Sequence, residues 1–567
     1  MKEKLLNMGF MEYGAVPNSR QMEWYHRGAT AFIHFGMNTF MGNEWGDGNE
    51  DPKMFAPTEL DCRQWIRFFK KNGFGSAVLT TKHHDGFCLW PSAYTEHSVK
   101  NSSYKDGKGD IVREFTDACR EYGMKAGIYL SPWDRHEKTW GREEYNDFYV
   151  NQLTELLSNY GEIWEVWWDG AGSTEAHYDW DRWATTVRSL QPNAVIFGSL
   201  GATPYVDVRW VGNEKGIAGK PCWATIDPIS LEKETMAELN SGKEDGARFI
   251  PAEADVSIRP GWFYKKSQDD CVRTPTNLFN LWKSSLGRNA GWLLNFPPDQ
   301  RGLIHENDIA SFESFKAELA KDMEIDFSQT AKITASSVRA TDDFAPQNLL
   351  DRKEETFYAP EDGFFTPELT LEFDKEHEIN GVVFGEMIEL GHHIRGYEIE
   401  VLVDGEWKKV AEGQCVGYRC VEMFDALKAT KLRLKITDAR ELPLLRELSV
   451  YRFADRPDEM DVKIKGKNLL ENEGVKVTRD RNVIDINLGG IFPFNCIKIE
   501  GLDLREYEIR VFNGTDFESY GKYEAYFDLP MIYRFDKPID WAYRIQVVMR
   551  ESSKCKLKER RVEVFYE

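Results

Sequence analysis

Acidic and imidazole side chains follow directly on apolar runs in the first half of this chain. The stretch 162–170, EIWEVWWDG, has the apolar content of a buried β-strand, yet it ends on Asp169 and a glycine. A dry core rejects an unpaired charge, so we expect this carboxylate to leave the core at the end of its strand. His34 follows the apolar run AFI, and KHHDGF carries His83 and His84 after another such run.

Further carboxylates and indoles share this placement. Glu214 ends the run VDVRWVGNE, Glu253 lies within ARFIPAEADVSI, and Glu44 and Trp45 lie in the loop-like MGNEWGDG. Retaining glycoside hydrolysis needs two carboxylates about 5 Å apart, one as nucleophile and one as acid/base. A sugar ring also needs aromatic surface for its C–H face and polar partners for its hydroxyls. These residue types together favour a glycosidase.

Other interpretations of the same residues stay open. A strand-end aspartate such as Asp169 can be the N-cap of the next helix, and Trp167 or Trp168 can be part of the core. His83 and His84 could form a structural hydrogen-bonded pair or bind a metal. Neighbouring residues of a strand point to opposite faces, and no third ligand lies at zinc-like spacing, so we predict no metal in the site.

The elements that must position these residues alternate between strand and helix over the first ~325 residues. Amphipathic stretches separate the strand-like runs, and a glycine follows several of them as expected for a helix C-cap. The runs are AFIHFG (31–36), SAVLTTKHHDGF (76–87), KAGIYLSPWD (125–134), WEVWWDG (164–170), NAVIFGSL (193–200), VDVRWVGNE (206–214), ARFIPAEADVSI (247–258) and GWLLNFPPD (291–299).

Eight such units predict an α/β fold, a (β/α)8-type barrel, in which catalytic groups lie at the carboxyl ends of the strands. A doubly wound open sheet is the alternative. No glycine-rich phosphate-binding loop follows a strand, which weakens that alternative and argues against a nucleotide cofactor.

The pattern changes at about residue 331 to short, alternating, turn-bounded runs that are typical of β-sandwiches. GYEIEVLVDGEW (396–407) aligns with EYEIRVFNGTDF (506–517), and RELSVYR (446–452) aligns with RRVEVFYE (560–567). The offset stays near 110 residues, which indicates a repeat. We predict three domains: a catalytic barrel at 1–328, a sandwich at 329–455, and a divergent second sandwich at 456–567.

The bulk composition limits the partners and the compartment. The net charge of −22 argues against nucleic acid and anionic membranes as partners. The nine cysteines show no CxxC pair and fit buried free thiols. No apolar run is long enough for a membrane span or a signal peptide. The chain as written is expected to be cytoplasmic, or periplasmic or secreted if a leader has been removed.

Five motifs in succession resemble glycoside hydrolase family 29, the α-L-fucosidases, over roughly residues 20–310. The motifs are WYHRGATAFIHFGMNTFMGNEWGDG (24–48), TKHHDGFCLW (81–90), GIYLSPWD (127–134), WWDG (167–170) and LLNFPPD (293–299). The resemblance implies a retaining mechanism with Asp169 as nucleophile. It also implies that a set of side chains contacts the substrate: His34, Glu44, Trp45, His83, His84 and Tyr129.

The short motif GNEKG (212–216) and the segment SIRPGWFY (257–264) are similar to the family members that select α-1,3/1,4-linked fucose on Lewis-type glycans. This similarity implies Glu214 as the acid/base, with Glu253 as the rival, and Arg259 and Trp262 as further contacts. The alternatives are a fucosidase of broad linkage tolerance, a hydrolase of a related 6-deoxy or galacto-configured sugar, and a non-catalytic glycan-binding protein.

The segment ITASSVRATDDFAPQNLLDRKEETFYAP (333–360) resembles the opening of discoidin-like (F5/8 type C) sandwiches, with Phe357 at the position of their tryptophan. Such sandwiches bind sugar or support a neighbouring domain, and some hold a structural Ca²⁺. We expect no cofactor, and a structural Ca²⁺ in one of the sandwiches is left open. A fucosylated oligosaccharide or glycoconjugate is the expected partner, and the oligomeric state is left open.

Overall fold

The computed structural model describes most of the chain. The described residues are 1–227, 231, 233–340, 342–456, 464, 466–480, 482–500, 506–524, 531–549 and 561–567. Residues 457–463, where the second predicted sandwich begins, lie outside them, as does residue 560 of the aligned segment RRVEVFYE.

The first ten strands lie within the first 300 residues. They are β1 (Thr30–Ile33), β2 (Ser76–Lys82), β3 (Lys125–Leu130), β4 (Glu165–Trp167), β5 (Val195–Gly198), β6 (Val208–Trp210), β7 (Thr225–Ile226), β8 (Arg248–Phe249), β9 (Ala252–Ser257) and β10 (Gly291–Asn295). All except the short pair β7–β8 join in a closed parallel barrel of order β1-β10-β9-β6-β5-β4-β3-β2. The predicted barrel is therefore confirmed, and the open sheet is excluded.

The α-helices of the described residues belong to the same part of the chain. They are α1 (Lys2–Asn7), α2 (Ser19–Arg27), α3 (Met37–Met41), α4 (Cys62–Lys71), α5 (Ile111–Glu121), α6 (Glu144–Asn159), α7 (Trp180–Leu190), α8 (Met236–Ser241), α9 (Pro275–Ser284) and α10 (Glu306–Asp322). The side chains of Asp61 and Asp110 cap the first turns of α4 and α5. Such caps satisfy backbone N–H groups that a helix leaves unpaired.

The two tryptophans before Asp169 point to opposite sides of the barrel wall. Trp167 faces the interior, where its ring lies 4.2 Å from Phe197 and 5.3 Å from Tyr129. Trp168 faces outward and packs 5.4 Å from Trp180 of α7. Because side chains alternate along a strand, this packing fixes the register of β4 and determines where Asp169 leaves the wall.

Antiparallel sheets follow the barrel, and this part of the predicted fold is also confirmed. Their strands are β11 (Lys332–Ala335), β12 (Glu368–Glu386), β13 (Ile394–Val403), β14 (Glu406–Gly413), β15 (Cys420–Ala439), β16 (Leu445–Tyr451), β17 (Lys467–Asn468), β18 (Lys476–Asp480), β19 (Val483–Glu500), β20 (Glu506–Phe512), β21 (Phe517–Glu524), β22 (Met531–Met549) and β23 (Arg561–Tyr566).

The first sheet, β11–β16, has the order β11-β12-β15-β13-β14 with β16 on β12. The second sheet, β17–β23, repeats this pairing, with β18 on β19 and the order β23-β19-β22-β20-β21. Each sheet has its own hydrophobic core. The interpretation as a repeat, like the three domain boundaries, stays a prediction.

Both sheets contact the barrel. Lys220 forms a 2.7 Å ion pair with Glu422 of β15, and Arg534 of β22 pairs with Asp270 in the loop after β9. Cys271 of the same loop packs against Ile532. The second sheet therefore touches the loop that follows a barrel strand. Among the described residues, no helix has the length and apolar character needed to cross a membrane.

Candidate active site

Asp169 lies two residues beyond β4, at the mouth of the barrel. Its side chain is 27% exposed. The Tyr129 hydroxyl donates a 3.0 Å hydrogen bond to Oδ2, and the backbone N–H of Ala171 donates a 2.7 Å bond to Oδ1. Both oxygens thus have a fixed donor while one side of the carboxylate stays open. Burial and the Asp169 charge raise the pKa of Tyr129 well above its usual range, so its hydroxyl remains a donor.

His84 faces Asp169 with Nε2, which lies 3.9 Å from Oδ2. Its Nδ1 lies 2.7 Å from Ser131 Oγ, and that hydroxyl donates its proton to the Trp133 carbonyl at 2.6 Å. Ser131 must therefore accept from His84 Nδ1–H. Burial lowers the pKa of His84 to about 4, against an opposing effect of the Asp169 charge. Neutral His84 consequently presents Nε2 to the mouth as a hydrogen-bond acceptor.

A hydrogen bond also fixes the tautomer of His34. Its Nδ1 lies 3.0 Å from Asn295 Oδ1, while the Asn295 amide donates to Ser257 Oγ at 2.9 Å and to the Trp262 carbonyl at 2.8 Å. Asn295 Oδ1 is therefore the acceptor, and His34 carries its proton on Nδ1. Burial lowers the pKa of His34 to about 3. A second neutral imidazole thus offers Nε2 as an acceptor.

His83 connects these two imidazoles. Its ring lies 4.1 Å from the His84 ring and 5.5 Å from the His34 ring, and it stacks on Tyr129 at 5.6 Å. Burial, followed by the two other histidines, holds the pKa of His83 well below its usual range. Within the described residues, its Nδ1 has no hydrogen-bond partner. The three predicted histidines therefore form one neutral cluster.

Indoles line the rim beside this cluster. Trp262 stacks on His34 with ring centres 4.9 Å apart. Trp133 lies 5.0 Å from His84, and Trp45 meets Trp133 edge-on at 5.7 Å. The structure thus brings the predicted Trp45 and Trp262 to the mouth and adds Trp133, which the sequence did not single out. Together with the imidazoles they form a surface that is both aromatic and rich in acceptors.

Glu44 lies beneath this rim and is 1% exposed. Its Oε2 accepts a 2.8 Å hydrogen bond from the backbone N–H of Trp262, and its Oε1 forms a 2.9 Å ion pair with Lys265. A Cβ on Gly261 would lie 2.3 Å from Glu44 Oε1, so a glycine is needed where the two loops approach. The carboxylate predicted to touch substrate therefore fixes the backbone that carries Trp262.

Arg259 lies away from the mouth group. Its side chain is fully buried, with Nη2 2.8 Å from Asp308 of α10 and Nη1 2.9 Å from Asp269. Its guanidinium also covers the Tyr264 ring. These contacts tie the loop after β9 to α10, so the structure does not bring Arg259 to the residues with which it was predicted to act.

Glu214 lies half-buried in the loop after β6. Its neighbour is Asp255 of β9, which accepts a 2.7 Å hydrogen bond from Trp210 Nε1. Burial, followed by the Glu214 charge, raises the pKa of Asp255 well above its usual range. Asp255 belongs to the run ARFIPAEADVSI, and the structure brings it beside Glu214.

Glu253, the rival, precedes Asp255 by two residues of β9 and so lies roughly 6–7 Å deeper along the strand. It is 1% exposed and accepts a 3.3 Å hydrogen bond from Trp24 Nε1. Burial, followed by the charge of Glu165, raises the pKa of Glu253 well above its usual range. Of the two glutamates, Glu214 lies in the mouth loop and Glu253 lies in the barrel interior.

Polar side chains that position the cluster were not predicted. Asn295 and Ser131 fix the histidine tautomers and lie at or just after the ends of β10 and β3. Both belong to the motifs LLNFPPD and GIYLSPWD. A polar residue at the end of a barrel strand was the sequence signal that could have identified them as site residues. The partner of each became identifiable only from the fold, since His34 and Asn295 are 261 residues apart in sequence.

Fixed acceptors suit sugar hydroxyls, and the half-buried indoles Trp45 and Trp133 suit the C–H face of a sugar ring. A closed parallel barrel presents catalytic carboxylates at this same end of its strands. The class of protein that this fold and this mouth define is the glycoside hydrolases.

Comparison with known proteins gives the family. The alpha-L-fucosidase family model matches residues 9–320, and the F5/8 type C domain model matches residues 332–448. The chain belongs to the alpha-L-fucosidase family, glycoside hydrolase family 29.

Individual relatives agree with this assignment. Alpha-L-fucosidase 1 of Arabidopsis thaliana is 40% identical over 447 residues, which cover 77% of this chain and 87% of the relative. The crystal structure of a putative alpha-L-fucosidase from Bacteroides thetaiotaomicron has a TM-score of 0.76 at 43% identity and covers 78% of this chain and 99% of its own. A Ruminococcus gnavus GH29 fucosidase in complex with fucose has a TM-score of 0.72 at 31% identity, covering 79% and 96%.

Proposed function

We propose that this α-L-fucosidase is an exo-acting, retaining enzyme that removes α-1,3/1,4-linked fucose from branched, Lewis-type glycans through a covalent fucosyl-enzyme intermediate. The observation that carries the proposal is the position of Asp169. It lies at the mouth end of the fourth barrel strand, partly exposed, with both oxygens held by hydrogen bonds.

In the first step, Asp169 attacks the anomeric carbon of fucose while Glu214 donates its proton to the departing glycosidic oxygen. The bond to the leaving sugar breaks, and an ester forms between fucose and Asp169. In the second step, Glu214 removes a proton from water, the water oxygen attacks the same carbon, and the ester breaks to free Asp169. Two inversions retain the anomeric configuration.

Glu214 is proposed as the acid/base because it lies in the mouth loop, whereas Glu253 is buried against Trp24. We propose that partial burial and the negative charge of the Asp169 nucleophile keep Glu214 protonated before the first step. Once Asp169 is esterified its charge is gone. Glu214 then gives up a proton more readily and can act as the base.

Fucose recognition is assigned to the histidine cluster and the indoles. Nε2 of His34 and Nε2 of His84 can each accept a hydrogen bond from a ring hydroxyl, because both imidazoles are neutral. An aromatic face such as Trp262 can meet the C5 methyl group, which would select a deoxy sugar over galactose. The fucose complex of the Ruminococcus gnavus relative supports fucose as the bound sugar.

The linkage preference rests on the motifs GNEKG and SIRPGWFY. An enzyme of the selective type hydrolyses Lewis-type trisaccharides much faster than 2′-fucosyllactose. A fucosidase of broad linkage tolerance hydrolyses both at similar rates. This comparison of kcat/KM therefore separates the proposed specificity from its alternative.

The mechanism and the specificity can be tested together with a panel of fucosylated oligosaccharides monitored by ¹H NMR from the first minutes. We expect α-L-fucose to appear first and the β anomer to grow later by mutarotation, with Lewis-type trisaccharides as the best substrates. Early appearance of β-L-fucose would contradict retention, and a preference for 2′-fucosyllactose would contradict the linkage.

A further inference from the structure

A cavity of about 680 Å³ lies beside the catalytic mouth. The loops after β1, β9 and β10 form one side, and the second sheet forms the other. The lining includes Thr39, Tyr264, Gln268, Arg301, Lys522 and Tyr533. Because these three loops follow parallel strands of the barrel, the cavity opens on the same face as the catalytic mouth. Its volume lies within the usual range of ligand sites.

The cavity and the catalytic mouth share a wall. Lys265 lines the cavity and forms a 2.9 Å ion pair with Glu44. Glu44 in turn holds the N–H of Trp262, which stacks on His34. Lys265, Glu44 and Trp262 therefore lie between the cavity and the catalytic mouth.

Ion pairs neutralise most of the charged groups of the lining. Arg301 binds Asp299 at 2.6 Å and Glu306 at 2.9 Å. Asp299, His305 and Glu306 lie close enough together for a metal ion. Arg301 already occupies these two carboxylates, and His305 Nδ1 accepts a hydrogen bond from the Asn307 N–H. The charged groups in this part of the lining therefore already have partners within the protein, and we propose no metal site there.

Two lysines are different. Lys266 of the barrel and Lys522 of β21 both line the cavity, and in the part of the chain that the structure describes neither forms an ion pair. They come from different domains and face one space. Lys522 lies opposite Glu508 of β20 in the sheet, and the two lysines together place two positive charges on the cavity wall.

A buried polar atom also lacks a partner. Gln268 lines the cavity and is 3% exposed, and its Oε1 has no hydrogen-bond partner among the described residues. A buried acceptor without a donor costs free energy, and a ligand hydroxyl can supply the missing bond. The Tyr264 ring, stacked on His305 at 5.7 Å, adds aromatic surface to the same space.

We propose that this cavity is a second glycan-binding site, formed jointly by the barrel and the second sheet, that takes an acidic sugar. Lys266 and Lys522 meet its carboxylate or sulfate group, and Gln268 Oε1 accepts from a hydroxyl. The assignment of a glycan rests on the proposed function, because the substrate of a fucosidase carries further sugars. The site favours fucosylated glycans that bear an anionic substituent.

Calorimetric titration of the full chain with 3′-sialyllactose, 3′-sulfolactose and lactose tests this proposal. None of these probes contains fucose, so their binding does not require the catalytic reaction. We expect both acidic probes to bind at least about fivefold more tightly than lactose, as two partly exposed ion pairs can supply. The double variant Lys266→Ala/Lys522→Ala should bind all three probes with similar affinity.

The control is Lys476→Ala, which removes another exposed lysine of the second sheet and should leave all three affinities unchanged. Both variants should hydrolyse an aryl fucoside like the unaltered enzyme. Equal affinity of the unaltered enzyme for the three probes, or undiminished acidic preference in the double variant, would overturn this inference. Failure of the unaltered enzyme to hydrolyse the aryl fucoside would instead contradict the proposed function.

Discussion

At the scale of single residues, two glutamates compete for the acid/base role. Glu214→Ala should lower kcat/KM on natural glycans by several orders of magnitude and on an activated aryl fucoside far less, because a good leaving group needs no proton. Steady-state kinetics on both substrates measures this difference. Glu253→Ala is the matched comparison, and we expect it to affect both substrates alike.

The opposite outcome would identify the other residue. If Glu253→Ala shows the large difference between substrates and Glu214→Ala does not, the acid/base lies in the barrel interior. Addition of azide gives a second reading of the same variants. Of these two variants, azide should restore turnover of the aryl fucoside in the one that lacks the base for water, because azide attacks the intermediate without losing a proton.

The neutral state of His84 makes a prediction about pH. Its pKa is about 4 in the folded chain against about 6.5 in an unfolded one. Between these two pH values His84 binds a proton in the unfolded chain but stays neutral in the folded chain. The free energy of unfolding is therefore not reduced by His84 above pH 6.5, and it falls by about 3 kcal/mol as the pH drops to 4.

This contribution is isolated by comparing the unaltered protein with His84→Gln. Urea unfolding followed by tryptophan fluorescence at pH 7 and pH 4.5 gives both unfolding free energies. We expect the protein with histidine to lose about 2–3 kcal/mol more than the variant between these two pH values. Equal losses would mean that His84 is not held neutral.

At the scale of elements, the loop after β9 links Trp262 of the catalytic mouth to Cys271 at the second sheet. Gly261→Ala would place a Cβ against Glu44 and displace the backbone of Trp262. We expect kcat/KM on an aryl fucoside to fall about tenfold or more, since a misplaced contact costs at least about 1.4 kcal/mol. Ser267→Ala, at an exposed position of the same loop, should change it little.

A normal kcat/KM for Gly261→Ala would show that the loop tolerates a shift of Trp262. Circular dichroism and the melting temperature should be recorded for both variants. A fall in activity that follows a general loss of folded protein would not support a local effect, whereas a normal melting temperature with reduced kcat/KM would.

The elements of the barrel could be predicted because their apolar periodicity is strong and glycines mark the helix ends. The strand β4 was harder, since it has only three residues and Asp169 lies beyond it. The network Trp262–Asn295–His34 was not predictable, because its hydrogen bonds join residues that only the closure of the barrel brings together. The ion pair of Arg259 with Asp308 was not predictable for the same reason, because the two residues are 49 positions apart in sequence.

At the scale of the whole molecule, both antiparallel sheets share one order of strand pairing. Tyr397 and Tyr507, which the sequence alignment pairs, lie buried on corresponding strands β13 and β20. The alternation of apolar residues predicted these strands. The cavity between barrel and second sheet was not predictable, since it depends on how two domains meet.

The proposed mechanism uses two carboxylates and no metal, while a structural Ca²⁺ in one of the sandwich domains was left open. Treatment with EDTA followed by gel filtration should leave kcat on an aryl fucoside unchanged. A lower melting temperature with unchanged kcat would indicate a structural ion. Loss of kcat that Ca²⁺ or another divalent ion restores would contradict the mechanism.

The central claim is that Asp169 forms a covalent bond to fucose. The enzyme is incubated with 2-deoxy-2-fluoro-L-fucosyl fluoride. The fluorine at C2 slows hydrolysis of the fucosyl-enzyme intermediate, so the intermediate can be trapped. Peptide mass spectrometry should then find one fluorofucosyl group on the peptide that contains Asp169, and none in Asp169→Asn. A label on another carboxylate, or rapid turnover with no covalent label at all, would contradict the account.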